Sequence, residues 1–164
     1  MLRMPSPTDE RSILVDYLGH FRRTLERKCE GLDAEQLARR SVPPSNLSLL
    51  GLVRHLADAE RGWFRQTMSG EEAPLHFRTA DDVDAAFNAA TGDPAVVAEA
   101  WERWHAEVAN AERVVAENEL DLVGLRHGEP IVLREVVVHM IEEYARHCGH
   151  ADLLRECIDG RTGE

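Results

Sequence analysis

The stretch Ile131–Arg155, IVLREVVVHMIEEYARHCGHADLLR, decides how the rest of the chain is read. Its apolar residues recur at helical spacing and predict a long buried helix. Each residue of an α-helix turns the chain by about 100°, so relative to Glu143 the side chains of His139, His147 and His150 fall at about −40°, +40° and −20°. Four metal-type groups therefore share one face. Val136 and Met140 lie within about 60° of the same direction, which makes it the face to be buried against other helices.

An ionised carboxylate in an apolar interior is very costly unless it is paired, and a divalent cation would supply the partner. Glu143 and His147 have the i, i+4 spacing that lets two side chains meet on one helix surface. Carboxylate with imidazole suits zinc and related divalent metals. A single histidine on an apolar face is more often a hydrogen-bonded core residue. Spacing alone also leaves His139 with Glu143, or His147 with His150, as pairs of equal standing.

The chain has 164 residues, enough for one domain spanning 1–164 with a substantial core and no need of disulfides. Lys and Arg number 19 against 30 Asp and Glu, for a net charge of −11, which argues against nucleic acid or anionic membrane as the main partner. The start, MLRMPSPTDERS, lacks the apolar core of a secretory signal, and no run approaches the roughly 18 apolar residues of a membrane span. Cys29, Cys148 and Cys157 show no metal-type spacing and leave an odd thiol, so a reducing cytoplasm is the expected compartment.

In chain order the pattern is helical throughout. Ser6 as N-cap, with Pro7 in the first turn, opens a helix to about Cys29, striped by Ile13, Leu14, Tyr17, Leu18, Phe21 and Leu25 and stopped by Gly31. Asp33-Ala-Glu-Gln36 resembles a capping box on a short helix, broken at Val42-Pro43-Pro44. A second long helix runs from about Ser48 to Met68, with Leu49, Leu52, Leu56, Ala59 and Trp63 as its stripe and His55 roughly 60° from the stripe's centre. Glu71–Arg78 reads as irregular, and Thr79–Asp82 as the cap of a short helix through Asn88. Asp93-Pro94 starts a third long helix to about Asn118. Glu119–Pro130 reads as a loop, and Gly160 ends the last helix.

Four long amphipathic segments imply an all-α four-helix bundle, with a long crossover between the second and third helices. Such bundles build metal sites from facing helices. A third ligand is therefore expected from another helix; His55 is the first candidate, with His20 and His105 as rivals.

Leu50-Gly-Leu-Val-Arg-His55-Leu, together with Met140-Ile-Glu-Glu143-Tyr-Ala-Arg-His147-Cys-Gly149-His150-Ala-Asp-Leu, resembles the DinB-like superfamily of bacterial metal-binding four-helix bundles over nearly the whole chain. The likeness is greatest to a branch of unknown function related to mycothiol-dependent maleylpyruvate isomerase. In that superfamily a histidine on the second helix and an H/E-x-x-x-H pair on the last helix bind a divalent metal. The resemblance thus implies His55, Glu143 and His147 as ligands, with Gly149 in its usual place two residues after the last. His150 falls where many relatives carry Gln, which assigns it to a place behind the ligands or against a cofactor or substrate. His139 becomes a supporting or structural residue. Val132 departs from the capping Ser or Thr of close relatives.

Two imidazoles and one carboxylate leave an ion such as zinc, or nickel or another divalent metal, with an open position, as in catalytic rather than structural sites. The resemblance points to a low-molecular-weight thiol such as mycothiol in that position, and so to a thiol-dependent S-transferase or isomerase acting on small molecules. A metal-dependent hydrolase and a non-enzymatic metal- or small-molecule-binding protein are the alternatives. No general base stands out, and Asp58, one turn beyond His55, is at most a weak supporting residue. Exposed apolar helix faces allow a homodimer.

Overall fold

The first long helix is capped by Asp9, whose carboxylate accepts the backbone N–H of Ser12 at 2.8 Å. The computed structural model describes residues 9–163, so the expected Ser6 cap and Pro7 lie outside it. Helix α1 spans Glu10–Cys29, and Gly31 beyond it takes φ 78°, the left-handed conformation that stops a helix. Asp33 and Gln36 form the expected capping box on the short helix α2, Ala34–Ala38.

Ser48 caps the second long helix by accepting from the Gly51 N–H. This helix is α-helical only over α3, Leu49–Glu60; it continues without a break as a π-helical segment, Arg61–Met68. Within that segment the Thr67 hydroxyl donates to the Gly62 carbonyl at 3.0 Å, and the Ser69 N–H reaches the Phe64 carbonyl at 3.1 Å, both five residues back. The wider turn changes the direction in which Trp63 and Gln66 project, and π-turns of this kind are frequent at functional sites.

A long connection, 69–93, carries the short helix α4, Ala85–Asn88. Asp93 then caps α5, Pro94–Glu117, with Pro94 in the first turn where its missing N–H costs nothing. The stretch expected as a loop contains a β-hairpin, β1 Val123–Arg126 paired antiparallel with β2 Glu129–Val132. His127 and Gly128 make its turn with φ 53° and 86°, the two positive values that match a tight hairpin to the twist of its strands.

Because Ile131 and Val132 belong to β2, the last helix, α6, starts at Leu133 rather than Ile131 and runs to Asp159. No side chain caps it. Its first two N–H groups, on Leu133 and Arg134, donate instead to the carbonyls of Leu122 and Leu120, each at 2.8 Å. The turn before the hairpin thus does the work of the missing Ser or Thr. Gly160, at φ 77°, closes the helix.

The four long elements form an all-α bundle in which α1 packs on α6, α3 on α5, and α3 also meets α6. Its centre is not wholly apolar. Arg22 grips the fully buried Glu60 through two hydrogen bonds of 2.8 and 2.9 Å, Tyr144 donates to the same carboxylate at 2.8 Å, and the Trp104 indole donates to the Tyr144 hydroxyl at 2.8 Å. One polar chain therefore ties α1, α3, α5 and α6 together. Each member has a partner, as a buried polar network requires.

Candidate metal centre

His55 projects from α3, and Glu143 and His147 project one turn apart from α6. Their ligand atoms all lie within 4.8 Å of one another, and they are the only group of this kind among the described residues. Nε2 of His55 stands 2.8 Å from Glu143 Oε1, and Nε2 of His147 stands 3.4 Å from the same oxygen. Hydrogen bonds with His147 and then His55 outweigh partial burial and hold the Glu143 carboxyl well below the usual carboxylate range. Two imidazole nitrogens and a carboxylate oxygen converging on one point form a donor set that fits a divalent cation of the zinc type.

The local sequence sets each ring. His55 stacks on Phe87 at 5.4 Å between centroids. Phe87 can come that close because position 51, one turn before His55, is glycine: a Cβ there would stand 2.6 Å from the Phe87 ring. Nδ1 of His147 lies 3.2 Å from Nδ1 of His150, so the ring nitrogen of His147 that faces away from Glu143 is held by a second imidazole. Either ring can donate in this contact, according to its tautomer, and the contact orients the His147 ring.

The other candidates stand elsewhere. His139 packs on Trp63 at 4.6 Å, His20 lies against Phe21, and His105 pairs with Glu26 on the surface at 3.1 Å. Asp58 is buried and engaged by the backbone N–H groups of His76, Phe77 and Arg78 at 2.7, 3.2 and 2.8 Å. Its role is to tie down the 71–78 loop. Glu107 anchors the same loop by accepting from Arg61, Arg65 and His76.

The cluster opens onto a cleft of about 350 Å³ whose lining includes His55, Glu143, Trp63, Gln66, Arg78 and Arg126. Trp63 and Gln66 come from the π-helical segment, Arg78 from the anchored loop and Arg126 from the hairpin. The Arg126 guanidinium lies over the Trp63 ring at 4.4 Å. Sequence reasoning missed both arginines, because neither belongs to a periodic helix. The x-Gly turn at His127-Gly128 was the one signal that could have placed Arg126 on a strand.

The sequence profile of the mycothiol-S-transferase family matches residues 13–160, which takes in all three residues of the cluster. The chain belongs to this family. As a mycothiol-S-transferase family member it is a DinB-like bundle, as the resemblance read from the sequence implied. A conserved protein from Enterococcus faecalis, known from its crystal structure, shares the fold with a TM-score of 0.65 at 14% identity; the match covers 94% of this chain and 99% of that one. A comparison with curated proteins finds no match. Among the described residues no helix is long and apolar enough to cross a membrane.

Proposed function

We propose that this protein is a divalent-metal-dependent S-transferase that joins a low-molecular-weight thiol, mycothiol for this family, to a small electrophile. One observation carries the reading: in a chain of the mycothiol-S-transferase family, His55, Glu143 and His147 converge at the edge of a cleft of about 350 Å³. His55 and His147 would hold the ion through Nε2, and Glu143 through the oxygen both rings now face. When bound, a divalent ion of the zinc type lets a thiol persist as its thiolate at neutral pH.

The chain's own residues have separate tasks. His150 holds the far nitrogen of His147 and so keeps the ligating nitrogen aimed at the site. Phe87 fixes the plane of His55. Trp63, packed beneath Arg126, forms a wall that limits water on one side of the cleft. Cys29 and Cys148 do not compete as nucleophiles, because burial pushes each thiol up to about 12. Three unpaired cysteines also fit a reducing compartment, the cytoplasm.

The test is to load the protein with cobalt and add mycothiol. A sulfur-to-metal charge-transfer band is expected, together with a rise in melting temperature, and Glu143→Gln should alter or remove the band. Cobalt bound at this site with neither band nor thermal shift from mycothiol, bacillithiol or glutathione would overturn the reading. Metal-dependent turnover of simple esters or amides would then identify a hydrolase, and its absence a binding protein.

A further inference from the structure

We propose that Arg78 and Arg126 form an oxyanion-binding wall of this cleft, so that the electrophile carries a carboxylate or phosphate group held opposite the metal ligands. The proposal rests on the transfer reading only in naming that ligand the electrophile. In this acidic chain, guanidinium groups packed against the bundle usually have a carboxylate: Arg22 has Glu60, Arg61 and Arg65 share Glu107, and Arg155 has Asp159. Arg78 and Arg126 form no ion pair among the described residues, although both line the cleft beside Glu143. The two other acids of that cleft pair with neither. Asp58 is engaged by three backbone N–H groups, and Asp84 is exposed without pairing to either arginine.

The placement of Arg126 is built rather than incidental. Side chains alternate along a strand, so Gly124 and Arg126 face the bundle while Val123 and Leu125, 58% and 62% exposed, face outward. Gly124 lies so close to the π-helical segment that a Cβ would stand 2.3 Å from the Thr67 carbonyl oxygen. That contact seats the hairpin, Thr67 Oγ1 accepts from Arg126 at 3.4 Å, and the guanidinium is pinned on Trp63. Partial burial and the nearby positive charge of Arg78 both act against the charge on Arg126. A half-buried cation that faces another cation and has no carboxylate among the described residues within ion-pair distance is unfavourable for the fold alone. An oxyanion entering the cleft would satisfy both, and the planar fork of arginine matches carboxylate and phosphate alike.

The experiment uses the full chain freed of metal by a chelator, so that neither ion nor thiol contributes. Calorimetric titration at low ionic strength compares succinate, inorganic phosphate and neutral succinamide. At least one of the two anions should bind, the tighter identifying the carboxylate or phosphate form, and succinamide should not. Arg78→Gln and Arg126→Gln should each weaken anion binding about tenfold or more, as loss of a charge-assisted hydrogen bond entails. Arg126→Lys, which keeps charge but loses the fork, should fall between. Arg78 is exposed and has no ion pair, so its variant should fold normally, which circular dichroism verifies. Binding of neither anion, anion binding by both Gln variants as tight as the parent's, or succinamide binding as tightly as the anions would overturn the proposal. A missing cobalt–thiol band would leave this result standing, and the reverse also holds.

Discussion

Three histidines on one helix face have different surroundings, and their substitution should separate them. His147→Ala should abolish stoichiometric metal, because it removes one of three converging ligand atoms. His150→Ala should keep one ion per chain while weakening its affinity about 10–100-fold, as expected when the partner of a ligating imidazole is lost. His139→Ala should leave metal binding intact and cost only its packing against Trp63. Metal analysis with competitive chelation measures all three; retention of full affinity by His150→Ala would refute its orienting role. At this scale the sequence was informative where chemistry lies on one helix: the i, i+4 spacing brought Glu143 and His147 together. Spacing could not choose between His139 and His147, since a rotation of 80° still leaves both on one face. The resemblance to a known family made that choice, and the fold brings His55 beside the Glu143–His147 pair.

The connecting segments are where periodicity was least useful and where the cleft is made. The 71–78 loop depends on Glu107, which accepts at 2.6 Å from both Arg61 and Arg65 and at 2.9 Å from His76. Burial raises the Glu107 carboxyl, but the hydrogen bonds from Arg65, His76 and Arg61 outweigh it and leave it below its ordinary 4.5. A depressed carboxylate contributes stability that is fully present above 4.5 and lost as pH falls through its lower folded value. Glu107→Gln should therefore destabilise the protein by about 1–3 kcal/mol at neutral pH, and the gap to the parent should close as pH falls below that range. Urea denaturation across pH measures this, and faster amide exchange over 71–78 should accompany it. Gly124→Ala should cost about 1–3 kcal/mol, because its Cβ meets backbone rather than a side chain that can move. It should also weaken whatever Arg126 binds. Neither the hairpin nor the π-helical segment was legible in the sequence. Each strand has only four residues, and the π-helical segment only eight, too few for a changed period to be seen in a pattern that tolerates either i+3 or i+4.

At the scale of the molecule, the bundle is joined by both an apolar core and the chain from Arg22 through Glu60 and Tyr144 to Trp104. Tyr144→Phe removes the link shared by two partners and leaves the fully buried Glu60 with Arg22 alone. A loss of about 1–3 kcal/mol is expected, or roughly 2–4 °C in melting temperature per kcal/mol for a domain of this size, with the denaturant slope unchanged. Metal should act in the opposite direction: at 100 times its dissociation constant a ligand of the native state adds about 2.7 kcal/mol. The long amphipathic stripes made the four-helix architecture readable in advance. The polar chain was not, because Arg22, Glu60, Tyr144 and Trp104 lie on four different elements and no local pattern relates them.

The three cysteines provide a built-in ruler for the candidate metal centre. Cys29 and Cys148 are buried, with thiols pushed up to about 12, whereas Cys157 is exposed near the end of α6. A maleimide probe should thus label the unmodified chain at one point, ten residues from His147 and about 15 Å along the helix axis at 1.5 Å per residue. A nitroxide there would feel a paramagnetic ion at that range. Cobalt could then be located relative to α6 in solution without altering any residue of the site.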